Sequence, residues 1–199
     1  MSLKFSSGVT FMSDLIRECP ADDAVEAQLV AKAIGSVEQP VDNTLLSKRL
    51  SQWLGMLRGM QLWFHGAHHV TRGASFAGDH VDIFGRIYVA IQDEIDGAVE
   101  KAVGVTGDEG IACPMHITKM ALQVLQSYPS PPAVSSLAMA AVGLEMERNY
   151  VELVEQMFAE LEEAGMLSLG LNDMLAASAN VHEGHGYLLQ QRVKTELEN

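Results

Sequence analysis

Residues 64–100 read FHGAHHVTRGASFAGDHVDIFGRIYVAIQDEIDGAVE, and the rest of the chain is organised around them. Four of the seven histidines fall here, His65, His68, His69 and His80, and the stretch closes on Asp96 and Glu100. In a helix the four-residue step from Asp96 to Glu100 sets both carboxylates on one side, a turn apart. Imidazole and carboxylate together suit iron, zinc or manganese. The stretch has no thiolate, which argues against an iron–sulfur cluster or a structural zinc site.

Working outward, Leu46, Leu50, Trp53, Leu54, Leu57, Met60 and Phe64 recur at three- and four-residue spacing. That period predicts an amphipathic helix from near Asn43 to about His69, stopped by Gly73 and about 40 Å long. A second long helix is expected over about 75–103, with Phe76, Ile83, Ile87, Ile91, Ile95, Ala98 and Ala102 on its apolar face. The turn-rich GVTGDEG at 104–110 breaks it. Pro114 opens a short three-turn helix, and SYPSPP ends it, since consecutive prolines cannot continue a helix. Ser130 is the expected N-cap of a third long helix, with Pro131 at its first position. Its apolar face is expected to hold Leu137, Ala141, Leu144, Val151, Val154, Phe158 and Leu161, and Gly165 ends it. A fourth long helix starts near Ser168 or Asn172 and carries Leu175, Ala179, His182, Leu189 and Val193.

Upstream, residues 1–20 read as an arm. Asp22 or Asp23 can cap a short helix to about Ile34, with Gly35 as its stop. The expected division is therefore an arm with a short helix over 1–42 and a bundle over 43–199. The fold class is all-α: a ferritin-like four-helix bundle with a short extra helix in the connection between the second and third long helices.

Composition narrows the function. The formal net charge of −13 repels nucleic acid in the absence of a basic patch, and Lys48 with Arg49 is the densest basic pair. DNA is therefore not an expected partner. No run approaches the ~20 apolar residues that span a bilayer, and the first twenty residues do not read as a signal peptide. Two isolated cysteines, Cys19 and Cys113, suit a reducing compartment, so a cytoplasmic location is expected.

The stretch AHHVTRGASFAGDHVDIF resembles the Dps family, the small ferritins that assemble into dodecameric shells. The matching positions are Ala67-His68, Arg72-Gly73, Phe76 and His80, and the twelve-residue step from His68 to His80 is the family's own. Asp96 and Glu100 resemble its aspartate and glutamate, and Lys101 stands at its usual arginine. LQSYPS at 125–130 is similar to its connecting helix and Ser-Tyr-Pro. His182-Glu183-Gly184-His185 is similar to its late histidine–glutamate motif. The resemblance implies that His68 and His80 of one subunit bind iron together with Asp96 and Glu100 of a two-fold partner. It implies oxidation of Fe²⁺ by peroxide or O₂, and storage of the ferric product inside a homo-oligomeric shell.

Two features depart from the family. Phe84 stands where a third carboxylate is usual, and the sixteen-residue step from His80 to Asp96 is one residue longer than the family's. A π-bulge between Ile83 and Ile87 would absorb the extra residue, with Gly85 as a permissive site. An undistorted helix would instead leave the ligand pairs turned by ~100°. Asp79, Asp82, His65 and His69 are the residues that could supply the missing ligand. On the plainer reading, His65 and His69 are supporting or surface groups and His116 lies at the surface. His182 and His185 read as packing or interface residues. The acidic residues of the third long helix, Glu147 among them, read as a solvated face. A shell whose oxidation site has decayed is the alternative function.

Overall fold

The structure is a computed structural model that describes residues 44–197. The arm, its short helix at 22–34 and the division at 42/43 lie outside the described residues. The order of elements is α1 (Thr44–Val70), a π-helical turn (Gly78–Gly85), α2 (Arg86–Thr106), a 3-10 turn (Glu109–Ala112), α3 (Pro114–Gln126), a 3-10 turn (Pro131–Ala133), α4 (Ser136–Glu163) and α5 (Leu169–Leu197). No strand occurs among the described residues. The four long helices form the bundle. Helix α1 packs against α2, α3 and α4; α4 runs along α5; and α3 lies against α1 in the connection between α2 and α4.

Period and burial agree closely on α1. All seven residues expected on its apolar face are buried, from Leu46 to Phe64. Truncating one of them, as in Leu57→Ala, costs about 2–5 kcal/mol through lost burial and the cavity left behind. The opposite side of α1 holds α3 at very short range. A Cβ on Gly55 would lie 2.4 Å from Met120 Cβ, and one on Gly59 2.7 Å from Val124 Cβ. Only a helix without side chains at these two positions lets α3 approach so closely.

Helix ends follow cap chemistry, with three corrections. Helix α2 runs to Thr106 rather than ending at Val103, because the left-handed residue that terminates it is Gly107. The prolines at 131–132 form a separate 3-10 turn, after which Val134 is extended. The N-cap of α4 is therefore Ser135, not Ser130, and its side chain accepts from the Ala138 amide. Phe76, expected in the core, is exposed and stacks on His80 with centroids 5.0 Å apart. Gly73 and Gly165 take positive φ where the first and third long helices were expected to stop.

The largest correction concerns the face of α4. The buried residues are Ser136, Met139, Ala140, Gly143, Met146, Glu147, Tyr150, Val154, Met157 and Leu161. Val154 and Leu161 are buried as expected, but Ala141, Leu144, Val151 and Phe158 each sit one residue beyond a buried position, a turn of ~100°. Ala141 is exposed, while Leu144, Val151 and Phe158 are only half-buried. This rotation carries Glu147 into the centre of the bundle.

Candidate metal centre

The last two turns of α1 present His65, His68 and His69, and the π-helical turn presents His80. His68 Nδ1 donates to the His80 carbonyl at 2.7 Å, and His80 Nδ1 donates to the His68 carbonyl at 2.8 Å. A carbonyl can only accept, so both Nδ1 atoms carry the proton in the neutral rings. Nε2, with its lone pair, is then the ligand atom of each. The rings stack at 3.8 Å between centroids and 17° between planes. An imidazole held through its second nitrogen by a backbone carbonyl is the usual support of a metal-binding histidine.

The π-helical turn makes this pairing possible. The Arg86 amide reaches back to the Val81 carbonyl, five residues away, which absorbs one extra residue. The turn lies at Gly78–Gly85, about one turn ahead of the expected Ile83–Ile87. At its end a Cβ on Gly85 would meet the His80 carbonyl at 2.6 Å and His68 Nδ1 at 3.2 Å. Glycine there leaves room for the hydrogen bond between the two histidines. Asp79 is almost fully buried and takes a forked ion pair from Arg192 of α5, with Nε to Oδ1 at 2.7 Å and Nη2 to Oδ2 at 3.2 Å. That pair pins the turn to the bundle, and Asp79 is spent on it rather than turned toward the histidines. Phe84 is fully buried against Phe64, 6.4 Å between ring centroids. Asp82 is exposed, and the rings of His65 and His69 lie 4.5 Å apart beside the other histidines.

Asp96 and Glu100 sit together on the exposed face of α2, in a hollow shared with Arg58, Leu62 and Thr118. Asp96 is ten residues beyond Arg86, about 15 Å along the helix axis. Within one chain the structure brings His68 to His80 and Asp96 to Glu100, but does not join the two pairs.

A second constellation lies inside the bundle. His182 Nδ1 binds Glu147 Oε2 at 2.5 Å, and His182 Nε2 binds Glu94 Oε2 at 3.1 Å. Tyr150 stacks on His182 at 3.7 Å and donates to Glu94 Oε1 at 3.2 Å. The Tyr150 oxygen accepts from Trp53 Nε1 at 2.6 Å and shares a 2.5 Å hydrogen bond with Ser178. Burial alone would lower the His182 pKa, but the Glu147 and Glu94 carboxylates outweigh it and raise it to about 9. Burial would raise Glu94, yet its hydrogen bonds and the His182 charge hold it below the ordinary carboxylate value. Burial, with the Glu94 charge beside it, pushes the Tyr150 phenol well up.

Two expected surface residues, Glu147 and His116, are not at the surface. Glu147 is 1% exposed rather than solvated, while His182 and His185 are packed inside the bundle, as part of a buried polar network. His116 is half-buried and hydrogen-bonded to Ser51 Oγ. Glu94, Tyr150 and Ser178 were not singled out from the sequence at all. The available signal was the shared three-residue step in Glu147–Tyr150 and His182–His185, which places each pair on one helix face.

No protein-family model matches the chain, and no curated protein matches it in sequence. The fold places it in the class of ferritin-like helical bundles. Among solved structures it is similar to the Dps of Mycobacterium smegmatis in its tetragonal crystal form. The two share 18% identity, with a TM-score of 0.61 over 77% of this chain and 89% of that one. The fold is thus Dps-like. Among the described residues no helix is long and apolar enough to cross a membrane.

Proposed function

We propose that this chain is a Dps-like miniferritin. It binds Fe²⁺ at a site shared across a two-fold contact, oxidises it with peroxide or O₂, and holds the ferric product inside a cytoplasmic homo-oligomeric shell, a dodecamer by resemblance. His68 and His80 of one subunit and Asp96 and Glu100 of the next are the proposed ligands. The observation that carries the reading is the reciprocal backbone anchoring of His68 and His80, which makes Nε2 the ligand atom of each ring.

Other features support the interface. Asp96 and Glu100 share their hollow with Leu62, which is exposed in the single chain, as are Phe76, Val81 and Val89 on the neighbouring surface. Exposed apolar residues around incomplete half-sites suit a contact between copies. Neutral imidazoles keep the hold on Fe²⁺ moderate, whereas the two carboxylates favour Fe³⁺. Each Fe²⁺ gives up one electron, so two ions and two protons reduce one H₂O₂ to two waters.

The test is anaerobic loading with Fe²⁺ followed by peroxide, with ferric absorbance followed in the near ultraviolet. Oxidation faster than the protein-free control, and lost in His68→Ala/His80→Ala, is expected. A rate equal to the control overturns the enzyme reading. The buried Phe84, standing where a carboxylate is usual in the family, favours a second reading: a shell that binds iron without hastening its oxidation. Fe²⁺ bound with no gain in rate is its signature.

A further inference from the structure

We infer that the bundle interior holds a second metal site, independent of the proposed interface site: a divalent transition ion bound by Glu147, His182 and His185, with Glu94 beside them.

These three residues form the one cluster among the described residues whose ligand atoms converge, each within 4.8 Å of the others. All three side chains are buried. The decisive observation is a pair of unsatisfied atoms. Glu147 Oε1 and His185 Nδ1 are both buried, and neither has a hydrogen-bond partner. They face each other at 3.4 Å. Two ligands bound to one tetrahedral ion at ~2.1 Å stand about 3.4 Å apart, so this gap matches an edge of that polyhedron. Unpaired buried polar atoms are rare because each loses its hydration without compensation. An ion between the two would remove both penalties at once. In a tetrahedral set every pair of ligands stands about 3.4 Å apart, so a pair at the 4.8 Å limit would close by about 1.4 Å when an ion binds.

The surroundings supply support and access. Tyr150, Ser178 and Trp53 form a hydrogen-bonded chain ending on Glu94, whose other oxygen holds His182. An open groove of about 350 Å³ between α4 and α5 reaches Glu147 and His182, with Glu152, Glu155 and Glu183 along it. Carboxylates lining a route attract a cation toward it. Two imidazoles with one or two carboxylates suit Zn²⁺, Fe²⁺ or Mn²⁺.

Co²⁺ is the probe, since its visible d–d absorption reports coordination. The titration uses the full chain carrying Asp96→Ala/Glu100→Ala, exposed positions whose loss breaks the interface site. One Co²⁺ per chain is expected, with the intense bands of a four- or five-coordinate site, displaceable by Zn²⁺. Adding His185→Gln should weaken this binding by about 100-fold or more and abolish the spectrum, and Glu147→Gln should do the same. If Glu147→Gln fails to fold by far-ultraviolet circular dichroism, His185→Gln decides alone, because His185 Nδ1 has no hydrogen bond to lose. Absence of Co²⁺ binding in the interface-deficient protein, or binding unchanged by His185→Gln, overturns the inference.

Discussion

The two histidine sites of this molecule are built in opposite ways. His68 and His80 are half-buried, twelve residues apart, with each ring tied to the other's backbone. His182 lies in the core between carboxylates from two other helices, 35 and 88 residues away in sequence. The first pair is a local device of a helix end, a turn and one π-helical insertion, and under the proposed function a second chain completes it. The second is a product of the whole bundle and is complete within one chain. Backbone anchoring through Nδ1 leaves Nε2 as the ligand atom of each ring. Burial between carboxylates yields a ring that is charged without a metal, and an ion bound there would displace its proton.

That contrast predicts which losses fall on stability and which on activity. Glu147→Ala should have the largest effect on stability, about 3–5 kcal/mol, because it leaves the buried His182 charge with Glu94 as its one carboxylate partner. Urea unfolding measures it, and a change below 1 kcal/mol would mean that His182 is neutral in the apoprotein. His68→Ala or His80→Ala should cost far less stability yet remove most protein-dependent iron oxidation. Stopped-flow absorbance reads the rate, and melting temperature the stability. Gly85→Ala should couple the two. Its Cβ collides with the His80 carbonyl, so a loss of about 1–3 kcal/mol and slower oxidation are expected together.

The pH response should distinguish the sites more gently. His182 is raised from 6.5 to about 9 on folding. Its contribution to stability is full below pH 6.5 and is lost as pH rises through about 9. The groups that face it are Glu94, Glu147, Tyr150 and His185. The apoprotein should thus lose melting temperature between pH 7 and pH 9.5, and Glu147→Gln should flatten that slope. The smallest expected effect is on DNA: no gel retardation at physiological salt, in keeping with the net charge of −13.

What could be read in advance follows from the same division. Helix α1 was legible because every third or fourth residue is large and apolar, so the period and the core coincide. The His68–His80 pair was legible because both residues lie in one short stretch with recognisable flanks. The extra residue between His80 and Asp96 pointed to a π-bulge as one of two outcomes, though its place fell a turn too late. Helix α4 was misjudged because Leu144, Val151 and Phe158 outweigh Glu147 on any hydropathy pattern, although Glu147 is the buried one. A buried carboxylate is invisible until its partners are known. Those partners, Glu94 and His182, come from helices distant in sequence, which no local period reports.

Mixing two inactive variants tests the central claim, a site shared between chains, most directly. One carries His68→Ala/His80→Ala and the other Asp96→Ala/Glu100→Ala. Unfolded together and refolded at equal concentration, they form mixed dimers with one intact site each, so iron oxidation should return to about a quarter of the parent rate. Oxidation no faster than that of either variant alone would contradict the shared site.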